Sequence, residues 1–210
     1  MSQAARRLAV VISTFLACAS ASAAVVATNT DYAVIDNRAE KRALNVTARG
    51  KITDVNITVE FSKCDNPPIG PGGSACLGRG SPFENEFTLA LIAPDGQAVT
   101  LVERFATYVA GTGRGAGRVS VTFDDEALQP AGPRVQGGSF RPAESLALFD
   151  GMDLFGSWTL YLRDHFRSDP LEFFSASLDI AYEPAPVPEP ATLAMLGLGL
   201  GLMGMRARRR

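Results

Sequence analysis

Cysteine is scarce in this chain, with 3 in 210 residues, which excludes a small scaffold held together by disulfides alone. Histidine and tryptophan occur once each, and the two cysteines of the chain's body, Cys64 and Cys76, with one distant histidine are too few soft ligands for a zinc-type site. Neither sign of charge dominates: 20 Lys and Arg stand against 22 Asp and Glu. This removes the easiest case for nucleic-acid binding, which needs a basic face. There is no Gly-x-Ser-x-Gly elbow. The glycine run over 111–117 lacks the Lys-Ser/Thr ending of a phosphate-cradling loop. Helical periodicity is almost absent. What is there is 46% apolar residues, enough for one packed domain.

The basic residues are skewed to the ends. Arg6 and Arg7 precede an apolar stretch over 8–17, and Arg206, Arg208, Arg209 and Arg210 close the chain. Without them the body is acidic. Arg6-Arg7, the apolar stretch and the small residues Ala21-Ser22-Ala23 form a secretory signal, with cleavage between Ala23 and Ala24. The competing reading is a lipoprotein signal acylated at Cys18, but Phe15-Leu16-Ala17-Cys18 is a poor lipobox. Secretion with loss of Cys18 is the expectation.

At the other end, 183–190 is a proline-rich extended linker. Residues 191–205 carry no charge. As a helix at about 1.5 Å per residue they reach roughly 22 Å, short of the ~30 Å hydrocarbon core. Val187-Pro188-Glu189-Pro190, this apolar segment and the terminal arginines together resemble a PEP-CTERM sorting signal. The resemblance implies recognition by an exosortase-type membrane enzyme in a Gram-negative bacterium that makes exopolysaccharide. It also implies transient inner-membrane anchoring by a short apolar C-terminal helix, a cut near 188–190, and delivery to the cell envelope, cell surface or extracellular matrix.

The body, 24–182, reads as sheet. Val55, Ile57, Val59 and Phe61 alternate with polar residues, as a half-buried antiparallel strand does. Residues 87–92 and 98–102 form a hairpin across Ala93-Pro94-Asp95-Gly96. Alternation recurs at Val119, Val121 and Phe123; at Trp158, Leu160 and Leu162; and at Ala176, Leu178, Ile180 and Tyr182. One or two helical turns are expected over 142–149. Short strands with turn signals between them predict an all-β, jelly-roll-like sandwich. Cys64 and Cys76 bracket a segment without apolar pattern, and in an exported protein they are expected to form a disulfide.

In order along the chain, five stretches resemble the P domain, or Homo B domain, of subtilisin-like proprotein convertases: 52–59, the hairpin 87–101, 122–127, 140–151 and 156–164. The resemblance implies an eight-stranded jelly roll that accompanies a serine endopeptidase. The family's histidine and Asp-Leu pair are replaced here by Lys63 and Asn85-Glu86-Phe87, with the cysteine loop inserted between them. A catalytic domain is not accommodated, so the chain is expected to be no enzyme and to have no catalytic residues. His165, beside Asp164, reads as a strand-end residue rather than part of a triad.

Asp124-Asp125-Glu126 is the densest acidic cluster. Carboxylates suit Ca2+, and some P domains carry calcium, although no cofactor is required. The competing reading is a strand-end turn capped by its own side chains, and the lack of EF-hand spacing favours it. Trp158, Phe123 and Tyr182 are expected in the core rather than as a glycan platform. The sequence thus implies an exported, non-catalytic module with a binding or structural role at the surface or in the exopolysaccharide matrix. The alternatives are a P domain assisting a separate subtilisin-like protease and a calcium-dependent glycan-binding jelly roll.

Overall fold

The computed structural model describes residues 22–78, 80–113 and 115–185. Residues 1–21 of the expected signal peptide, the apolar C-terminal helix and the sorting motif Val187–Pro190 lie outside them, while Ser22 and Ala23, the last two residues of that peptide, are described. Among the described residues ten strands form two sheets. In chain order these are β1 (Ala23–Asn29), β2 (Ala33–Ile35), β3 (Ala39–Val46), β4 (Gly50–Lys63), β5 (Phe87–Ile92), β6 (Ala98–Val102), β7 (Ala116–Phe123), β8 (Gly138–Phe140), β9 (Gly156–Asp164) and β10 (Leu171–Pro184). One sheet has the order β1-β10-β4-β7-β8, with β2 also on β10; the other has the order β3-β9-β5-β6. The expected all-β sandwich is what is found.

The period-two pattern explains the layers. Ile57, Val59 and Phe61 of β4 and Leu160, Leu162 and Trp158 of β9 are buried between the sheets. Trp158 packs edge-on against Phe149, with centroids 5.0 Å apart, and its indole N–H donates to the Leu154 carbonyl at 3.0 Å. Phe123 is likewise buried, while Tyr182 is half-buried at the rim. The hairpin of β5 and β6 closes on the Ala93–Gly96 turn, where Gly96 takes the positive φ of 95° that the turn demands.

β4 is longer than its alternating stretch because it is paired along both edges, with β10 and with β7. Over 142–149 the expected helical turns shrink to one 3-10 turn, Leu146–Phe149. The Ala143 and Glu144 N–H groups donate to the Leu101 and Thr100 carbonyls of β6, holding that stretch extended. The helix therefore starts only at the Ser145 cap, whose side chain accepts from the Ala147 N–H.

β10 orders the molecule from end to end. Ala23 pairs with Tyr182, so the start of β1 and the exit toward the C-terminal tail share one pole. Leu171 pairs with Lys63 at the other pole. At about 3.3 Å per residue, the poles lie roughly 40 Å apart.

Candidate functional site

The pole away from the termini gathers the end of β4, the end of β9 and the starts of β5 and β10. Cys64, immediately after β4, is bonded to Cys76, with Cα atoms 5.4 Å apart. Buried Cys64, Ile69 and Phe174 form a small second core beneath the cysteine loop. Gly115 lets β7 approach this bridge: its φ is 76°, and a Cβ there would lie 2.9 Å from Cys76 Sγ and from the Lys63 carbonyl.

Glu172 ties the loop to the sandwich. Its carboxylate accepts from the Tyr32 hydroxyl at 2.6 Å, the Ser62 hydroxyl at 2.7 Å, and the Ile69 and Gly70 N–H groups at 2.8 Å each. Burial acts to raise its pKa, but these four donors outweigh it and hold the carboxyl below its usual range.

Lys63 ends β4 with its side chain wholly buried. Its Nζ donates to Glu86 Oε1 at 2.9 Å, to Asp164 Oδ2 at 2.8 Å, and to the Asp169 carbonyl. Asp164 Oδ1 accepts from the Phe166 N–H at 3.0 Å. Burial pushes the Glu86 and Asp164 carboxyls upward, against the opposing pull of the ammonium.

Above this network lies an open cavity of about 500 Å³, lined by Phe83, Phe105, Phe166, Glu86, Asp169 and Arg167 among others. The three phenylalanines are 51%, 51% and 44% exposed. Phe105 holds a left-handed φ of 63°, fixed by its N–H donating to the Asn85 carbonyl at 2.7 Å. Its ring stands 6.0 Å from that of Phe166 and carries the Arg104 guanidinium at 4.9 Å. Exposed aromatic rings around a concavity supply a contact surface, because solvent gains nothing from wetting them.

The other anticipated residues are placed as follows. His165 follows β9; its Nε2 lies 3.0 Å from Thr88 Oγ1, and its Nδ1 faces Arg104 and Arg163. Burial, then these two cations, lower its pKa. The Asp164 carboxylate is turned to Lys63 and the Phe166 N–H instead.

Asp124 Oδ1 accepts from the Glu126 N–H at 2.7 Å, and Asp125 Oδ2 accepts from Ser145 Oγ and the Ala147 N–H. The cluster thus caps its own turn and the 3-10 turn. The Asp124 carboxylate beside Glu126 pushes the latter's pKa up. Among the described residues no three His, Cys, Asp or Glu side chains are grouped to hold a metal ion. Ala23 and Ala24 open β1 at the opposite pole.

The buried polar network was not anticipated as a unit. Its signal was Lys63: the inward positions 55, 57, 59 and 61 are apolar, and a lysine takes the next one.

No curated protein matches the chain. A crystal structure of the Aeromonas sobria serine protease with its chaperone is similar at 13% identity and TM-score 0.45, covering 79% of this chain and 28% of that one. Another of the Aeromonas sobria serine protease is similar at 12% identity and TM-score 0.43, covering 77% and 27%. FlhE is similar at 10% identity and TM-score 0.36, covering 77% and 97%. The chain spans little more than a quarter of the length of the two protease chains, and these distant likenesses support nothing about its activity. Residues 186–210 match the PEP-CTERM protein-sorting motif; the chain therefore carries at its C-terminus a signal for export and cell-envelope sorting in Gram-negative bacteria.

Proposed function

We propose that this is an exported, PEP-CTERM-sorted P/Homo B-like domain without catalytic activity, and that it binds a partner through the cavity of Phe83, Phe105 and Phe166. The observation that carries the reading is polar placement. Both termini of the sandwich leave from one pole, and the aromatic cavity opens at the other. A chain held at the membrane by its tail presents such a cavity outward. The P-domain assignment draws support from the five resembling stretches, which fall on β4, on the β5–β6 hairpin, at the end of β7, on the 3-10 turn and on β9. The non-catalytic assignment draws support from His165, whose neighbours are a threonine and two arginines.

The test uses the processed protein recovered from cells, as wild type and as the Phe105→Ser/Phe166→Ser variant. Each is applied to the producing strain's exopolysaccharide and, separately, cross-linked in cells to capture a subtilisin-like protease. Retention or capture that the double substitution abolishes supports the reading and identifies the partner class. Equal behaviour of the two proteins in both arms overturns the binding role. Peptide hydrolysis lost on His165→Ala overturns the non-catalytic one.

A further inference from the structure

We propose that Lys63 and Asp164 condense into an intramolecular isopeptide bond, Nζ to Cγ, that joins the two sheets across the core, with Glu86 carrying the proton. The inference is independent of what the cavity binds.

The placement is what a cross-sheet bond needs. Lys63 is the last residue of β4 in one sheet, and Asp164 is the last residue of β9 in the other. Both side chains are 0% exposed. Phe61 precedes Lys63 on the same inward face, and Phe87 pairs with Asp164 in register; both rings are buried. Water is thereby kept from the reacting groups, and a condensation that bulk water opposes loses its competitor. Nζ already touches the carboxyl at 2.8 Å. Two groups fixed in this way react as if at very high effective concentration, on the order of 10⁵ M or more.

The charges favour the same outcome. One ammonium faces two carboxylates, wholly buried Asp164 and Glu86, which borders the cavity with 7% of its side chain exposed. A buried ion pair recovers its desolvation cost poorly, and a neutral amide in its place removes two of the three charges. Burial pushes the Asp164 carboxyl up, which eases the proton transfer from Lys63 to Oδ2 that the step requires.

The atoms balance as follows. The Lys63 ammonium gives one proton to Asp164 Oδ2, leaving a neutral amine and a carboxylic acid. The Nζ lone pair attacks Cγ, and charge gathers on Oδ1, where the Phe166 N–H already donates at 3.0 Å. Glu86 Oε1, 2.9 Å from Nζ, takes a second proton from nitrogen and delivers it to the Oδ2 hydroxyl. The Cγ–Oδ2 bond breaks, and one water leaves with both of its hydrogens accounted for. Oδ1 remains as the amide oxygen, still bonded to the Phe166 N–H. The third nitrogen proton stays on the amide, with the Asp169 carbonyl, already an acceptor from Nζ, to receive it.

The test is the mass of the processed protein recovered from cells, reduced and unfolded, with a proteolytic fragment map that locates both of its ends. The expected result is a chain lighter by one water than the sequence between those ends, with a branched fragment joining the segments around Lys63 and Asp164. An unshifted mass overturns the proposal. So does a missing water located in a succinimide at Asp95-Gly96 or Asp150-Gly151, or a branch that ends on Glu86. Glu86→Gln, which keeps both reacting groups but removes the proton carrier, is expected to retain the full mass. Asp164→Asn is expected to close the same bond with loss of ammonia, giving the wild-type product mass. A Glu86→Gln protein that closes the bond as fully as wild type removes Glu86 from the mechanism. The wild-type measurement decides the bond even where a variant fails to fold.

Discussion

The Tyr32 hydroxyl donates a 2.6 Å hydrogen bond to Glu172 Oε1, and the same carboxylate holds the cysteine loop through the Ile69 and Gly70 N–H groups. One buried acid therefore links the β1–β2 connection, β10 and an irregular loop. Because its folded pKa lies below the usual carboxylate range, it binds protons more weakly in the folded state than in the unfolded chain. Its stabilisation is fully present above the unfolded value, near ~4.3, and is lost as pH falls through the folded pKa. Glu172→Gln should lower stability at neutral pH by about 1.5–3 kcal/mol, the worth of hydrogen bonds to a charged group. It should also flatten the fall in stability below about pH 4. Urea unfolding at neutral and acid pH measures both. Glu86 and Asp169, whose carboxyls burial pushes up, contribute with the opposite sign: their share declines as pH rises from the unfolded value through the raised one.

Reduction of the Cys64–Cys76 bridge, or Cys64→Ser, should cost about 3 kcal/mol, since the crosslink restricts the unfolded chain. Dithiothreitol should shift the unfolding midpoint of the wild type and leave that of Cys64→Ser unmoved.

Trp158→Ala should be far more damaging than Phe105→Ala. The Trp158 ring is wholly buried against Phe149, and its removal should cost about 3–5 kcal/mol. Phe105 is half-exposed, so its loss should cost less than ~1 kcal/mol while weakening retention of the partner. Thermal unfolding and the retention assay separate the two.

Glu189→Ala alters the Pro188-Glu189-Pro190 triplet near the start of the sorting motif at 186–210. The protein is expected to stay with the inner membrane and to keep its arginine-terminated tail, as cell fractionation and intact mass will show. The described sandwich ends at β10 before this position, so its unfolding curve should be unchanged.

Several strands were legible from local residue order. The alternating 55–61 stretch lies within β4, and the 87–92 and 98–102 stretches, read from the turn between them, are β5 and β6. The edge strands β3 and β8 were not. In β3 the segment Ala39-Glu40-Lys41-Arg42-Ala43-Leu44-Asn45-Val46 buries only Leu44 and Val46, so pairing with β9, not side-chain pattern, makes it a strand. β8 has three residues and exists only as a parallel partner of β7.

By itself the sequence determined the sheet class, the disulfide and the sorting tail, because each is written in local residue order: a two-residue period, two cysteines around a patternless loop, a motif at the chain's end. Only the tertiary structure decided that Lys63, Glu86 and Asp164 meet in the core, that Phe83, Phe105 and Phe166 share one cavity, and that this cavity lies opposite the termini. Those relationships depend on strand order and on the closing of two sheets over one interior. Such long-range geometry has no period and no fixed spacing along the chain by which to be read.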